Sequence, residues 1–97
     1  MANEPELGVG SYRAEQVSGA VIIHAHGETF ASGYKVWLQE AMIDVFPPEF
    51  VLYWQPPDGM AADVMTPFHV QAEFPTQERV RHVTVRDADG AHTVPVK

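Results

Sequence analysis

Val64-Met65-Thr66-Pro67-Phe68-His69-Val70-Gln71-Ala72-Glu73-Phe74 alternates apolar and polar side chains along its length. Val64, Phe68, Val70, Ala72 and Phe74 share one parity, and Met65, His69, Gln71 and Glu73 share the other. Successive side chains of a strand point to opposite faces, so the stretch predicts a β-strand with one core face and one polar face. Pro67 falls on the polar face, cannot donate to a ladder, and predicts an edge, a bulge or a change of sheet.

Upstream, residues 49–55 place Phe50, Leu52 and Trp54 on one face and Val51 and Tyr53 on the other. Both faces are apolar, as expected of a central strand or of one whose second face meets a partner. Pro56-Pro57-Asp58-Gly59 supplies the turn between these two strands, and Pro47-Pro48 ends the preceding connection. Residues 34–43 direct Tyr34, Val36 and Leu38 to the core and leave Trp37 between Lys35 and Gln39 on the outside. Residues 17–28 set Val21, Ile23 and Ala25 against Ala20, Ile22, His24 and His26, followed by a loop that ends at Gly33. Downstream, residues 79–86 and 91–96 flank Asp87-Ala88-Asp89-Gly90 as a hairpin, with Pro95 marking an edge.

No segment offers ten residues of helical rhythm with caps. Six to seven short strands punctuated by turns predict an all-β, single-domain antiparallel β-sandwich, which resembles an immunoglobulin-like or fibronectin-type module. Trp54 suits the core tryptophan of such a module, whereas the cysteine pair of antibody domains is missing. Residues 1–14 have little pattern and are expected to form a flexible N-terminal arm, with the sandwich over residues 15–97.

Ninety-seven residues suffice for one domain with a modest core. The absence of cysteine excludes disulfides, thiolate nucleophiles and cysteine-ligated metals. Acids occupy the N-terminus where a signal peptide carries a basic stretch, and the longest apolar run, Ala20 to Ile23, cannot span a bilayer. A soluble protein, cytoplasmic by default and without a membrane partner, is expected. The net charge of −7 repels phosphate backbones, so nucleic acid is not an expected partner either. The charge is uneven, because residues 79–97 carry Arg79, Arg81, Arg86 and Lys97 against Asp87 and Asp89, a local +2 against −9 elsewhere. This segment reads either as an anion-binding or docking patch or as solvated cations facing acidic neighbours.

Two constellations hold functional potential. Trp37, Val51 and Tyr53 project away from the core and would form an amphipathic binding surface for a protein partner or a second copy, unless loops or the N-terminal arm cover them. The alternative is metal: His24 and His26 stand about 7 Å apart along one strand face, and His69 is the best third ligand. Met65 and His69, about 13 Å apart on one strand, could not readily share an ion. As plain strand residues, the histidines would need no ligand at all.

Other patterns point away from chemistry. His82 and His92 flank the last hairpin and could face each other across it. Asp87-Ala88-Asp89-Gly90 begins like a calcium loop but lacks the later oxygen ligands. Ser11, Ser18 and Ser32 lie outside any nucleophile elbow, and no His-Glu-x-x-His or glycine-rich phosphate loop occurs. The sequence therefore predicts a non-enzymatic interaction module without a cofactor.

Overall fold

A computed structural model describes residues 4–42, 46–59 and 62–97. Eight strands follow in order: β1 Glu6–Leu7, β2 Ser11–Val17, β3 Ala20–Thr29, β4 Lys35–Glu40, β5 Glu49–Gln55, β6 Thr66–Pro75, β7 His82–Asp87 and β8 Gly90–Pro95. They form two packed sheets, one of five strands and one of three. No helix among the described residues is long and apolar enough to cross a membrane.

The smaller sheet is antiparallel with β3 at its centre, flanked by β2 and β6. A two-residue turn, Ser18-Gly19, joins β2 to β3, and Gly19 takes the positive φ of 84° that reverses the chain without a Cβ clash. Ser11–Val17 is thus a full edge strand, and the expected arm boundary at residue 14 falls inside it. β2 carries apolar side chains only at Tyr12, Ala14 and Val17, too few for a period of two to register in the sequence. β6 alternates half-buried and exposed residues from end to end, and Pro67 lies on its outer face at the sheet edge.

In the larger sheet, β5 pairs with β4 along one edge. Its other edge is shared by β1, at Tyr53 and Trp54, and by β7, at Glu49, Phe50 and Val51. The β5–β7 pairing is parallel, so this sheet is mixed and the expected all-antiparallel arrangement does not hold. The cause is connectivity: after β5 the chain crosses to the smaller sheet as β6 and returns as β7, and two reversals restore the original direction. The strand expected over residues 34–43 is β4, which ends at Glu40; Ala41 and Met42 lie outside it, and Ile43 falls beyond the described residues.

Between the sheets lie Val21, Ile23, Phe50, Val80, Val83 and Val85, which are fully buried, with Ala25, Leu52 and Trp54 forming a second cluster. Along one side, Gln16 N donates to Lys97 O at 3.0 Å and Lys97 N donates to Ala14 O at 3.1 Å, which ties β2 to the end of β8. Trp54 is 2% exposed and meets Phe30, Tyr34 and Phe68 edge-on, with centroids 5.3, 5.7 and 6.0 Å away. Gly8 is hydrogen-bonded to Leu52 and Ala88 and passes directly over the indole, where a Cβ would sit 2.3 Å from the ring. Its φ is not positive, so the requirement for glycine is one of space. Gly8→Ala is expected to destabilise the fold by about 1–3 kcal/mol through overpacking, measured as a lower urea midpoint with an unchanged m-value.

Candidate functional site

The register of β4 on β5 sets Trp37 opposite Tyr53, and that of β1 on β5 sets Leu7 opposite the same tyrosine. Cross-strand partners share a face, so Trp37, Tyr53 and Leu7 form one row on the solvent side of the larger sheet. The Trp37 and Tyr53 rings are 5.6 Å apart, inclined by 30°, and Trp37 Nε1–H reaches Gln39 Oε1 at 3.4 Å. Val51, opposite Gln39, occupies the next row. The three aromatic-face residues named from the sequence therefore lie together. Leu7, 45% exposed, was missed because its segment reads as an arm.

Beside this row, Glu4, Pro5, Trp37, Gln39 and Tyr53 line an open cleft of about 410 Å³. The N-terminal segment borders the aromatics and leaves Trp37 and Tyr53 only half-buried. Fixed charges on the face are sparse: Lys35 at one end, Glu4 at the cleft, and Arg86 held to Glu49 at 2.8 Å.

On the outer face of the smaller sheet, His24 is 7% exposed and its ring lies between two partners. Its Nε2 is 3.2 Å from Glu15 Oε1, and its Nδ1 is 3.2 Å from His69 Nε2, the two imidazoles being nearly parallel at 8°. An ionised carboxylate only accepts, so a neutral His24 donates Nε2–H to Glu15 and accepts at Nδ1 from His69 Nε2–H. Register would place His26 directly opposite His69, yet His26 is exposed and the short contact runs diagonally from His24. Glu15 and His69 bind opposite sides of the His24 ring, so all three cannot converge on one ion. Among the described residues no group of three or more His, Asp or Glu is placed to hold a metal.

A third cluster escaped the sequence reading. Asp87, 3% exposed, accepts hydrogen bonds from Tyr12 Oη, from His92 Nε2 at 2.9 Å and from Asp89 N at 2.8 Å. The Asp-Ala-Asp-Gly motif is a hairpin turn, as read, but its first carboxylate also locks β2 onto the β7–β8 hairpin. Tyr12 lies 75 residues away in sequence, and no local pattern announces the contact. His82 pairs with Pro95, and His92 with Val85, so the two histidines do not face each other.

Burial, followed by the hydrogen bond and negative charge of Asp87, raises the Tyr12 hydroxyl pKa well above its ordinary value. The folded state thus holds this proton more tightly than the unfolded chain does. The resulting stability is complete below about pH 10 and falls as the unfolded tyrosine ionises above it. Tyr12→Phe should cost about 1.5–3 kcal/mol at pH 8, with the deficit narrowing from pH 10 to 11 in denaturant titrations. Comparison with family models, with curated proteins and with solved structures finds no match to this chain, so the geometry alone supports the functional reading.

Proposed function

We propose that the protein is a non-catalytic interaction module that binds a protein partner, in the simplest case a second copy of itself, through the outer face of the larger sheet. The observation that supports this is the solvent-facing row Trp37–Tyr53–Leu7, with Val51 beside it. Aromatics with one apolar body and one polar tip are enriched at interaction surfaces, where charged residues are depleted. Here Lys35 and Arg86 balance Glu4 and Glu49, giving a neutral face on a chain of net charge −7. Two copies could meet there without concentrating like charge, and salt would screen the repulsion between the remaining surfaces.

Sedimentation of wild type and of Trp37→Ala/Tyr53→Ala over a range of protein and salt concentrations tests the reading. Self-association that strengthens with salt and vanishes in the double variant is expected. A wild type that stays monomeric throughout removes the self-association, and association unchanged by the substitutions removes this face.

Architecture belongs to the same proposal. An immunoglobulin-like or fibronectin-type arrangement has the support of two packed sheets and a buried Trp54, while the parallel β5–β7 pairing departs from it. The second reading, a metal-binding role for His24, His26 and His69, has only the 3.2 Å approach of His24 to His69 behind it, since His26 stands apart and no three of the described His, Asp or Glu are grouped around one point. Zinc titration would show weaker binding in His24→Ala/His26→Ala than in wild type if that role holds. Equal affinities would dismiss it.

A further inference from the structure

At the edge where β2 meets the end of β8, Gln16, Gln77, Arg79, Val80, Val96 and Lys97 line an open pocket of about 300 Å³. Two of these six residues are cations, and neither Arg79 nor Lys97 has a carboxylate partner among the described residues. Among the described residues Arg86, held to Glu49, is the only Lys or Arg with a carboxylate partner, so what distinguishes Arg79 and Lys97 is that they share one pocket. Arg79 and Lys97 thus bring two cationic side chains to one concavity, and neither is paired with a side-chain carboxylate among the described residues.

The surroundings fix both positions through a single residue. Gln16 N donates to Lys97 O at 3.0 Å, which sets the backbone of Lys97. The Gln16 side chain donates through Nε2 to Glu78 O at 2.8 Å and accepts from Val80 N through Oε1 at 3.0 Å, which brackets Arg79 from both sides. Buried Val80 and half-buried Val96 supply an apolar floor, and Gln77 adds amide donors at the rim. Glu78, the nearest acid in sequence, does not line the pocket.

We propose that this pocket binds a small organic anion, its charged head between Arg79 and Lys97 and its short apolar body on Val80 and Val96. A guanidinium offers a planar fork to a carboxylate or phosphate, and an ammonium adds a compact charge. The site lies at the β2–β8 edge and is independent of the aromatic face, so either can fail without the other.

Amide chemical-shift titration of the whole chain tests it, with butyrate and inorganic phosphate as probes. Butyramide and sodium chloride at matched ionic strength serve as controls. Saturable shifts are expected at Gln16, Gln77, Val80, Val96 and Lys97 with butyrate and phosphate but not with the controls. In Arg79→Gln/Lys97→Gln the affinity should fall about tenfold or more, the loss of one or two charge-assisted hydrogen bonds. Butyrate binding more tightly than phosphate supports the role of the apolar floor, whereas phosphate alone binding overturns the organic ligand. Shifts that do not saturate, that chloride reproduces, or that persist in the double variant overturn the pocket as an anion site. Both substituted residues are exposed, so the variant's spectrum elsewhere should match that of wild type.

Discussion

Burying Phe50, Leu52 and Trp54 along one face of β5 requires hydrogen-bond partners on both edges of that strand, because a buried peptide group without one costs about 1–3 kcal/mol. β4 satisfies one edge over its full length. The opposite edge takes two strands end to end, β1 above and β7 below, with Gly8 bridging Leu52 and Ala88 at the junction. Other features of the larger sheet follow from this demand. The chain must return in parallel to reach β5 again, the N-terminal segment must order, and the residue crossing the indole must lack a side chain.

The alternation in β6 and the doubly apolar character of β5 were legible in the sequence because burial there depends on the strand's own period. Phe50, Leu52 and Trp54 turn inward, Val51 and Tyr53 outward, and Trp37 falls on the outer face as its polar neighbours imply. The hairpin at Asp87 and the edge position of Pro67 were legible too, since both rest on local backbone chemistry. What the period could not convey is pairing between distant segments. Ser11–Val17 becomes a strand because β3 offers it an edge, and Glu6–Leu7 because β5 does. The same gap hid Leu7 from the aromatic row, Glu15 from His24 and Tyr12 from Asp87. His24 and His69 were grouped correctly by face, but whether they touch depends on rotamers that no pattern encodes.

The distribution of charge separates the surfaces of the molecule. Thirteen acids accompany six Lys and Arg, yet among the described residues only Arg86 is paired with a carboxylate. The aromatic face of β4 and β5 is neutral, and the pocket at the β2–β8 edge gathers two cationic side chains with no paired side-chain carboxylate among the described residues. The polar face of β3 and β6 differs again, being organised by hydrogen bonds among Glu15, His24 and His69. Surface ion pairs contribute little to stability, so these choices are nearly free of folding cost and bear on what each surface can meet.

The parallel pairing of β5 with β7 also shapes how the chain reaches this structure. The β2–β3 and β7–β8 hairpins close over two-residue turns and can form locally. The contact of Phe50 with Val85, and that of Leu7 with Tyr53, each require a long loop to close before any core burial repays the lost entropy. Topologies dominated by such non-local contacts fold slowly, on the scale of milliseconds to seconds. Until both ends of the chain arrive, the strand with apolar residues on both faces has an unpaired edge. A nascent or partly unfolded molecule is therefore prone to aggregate through β5, a strand that the finished fold pairs along both edges.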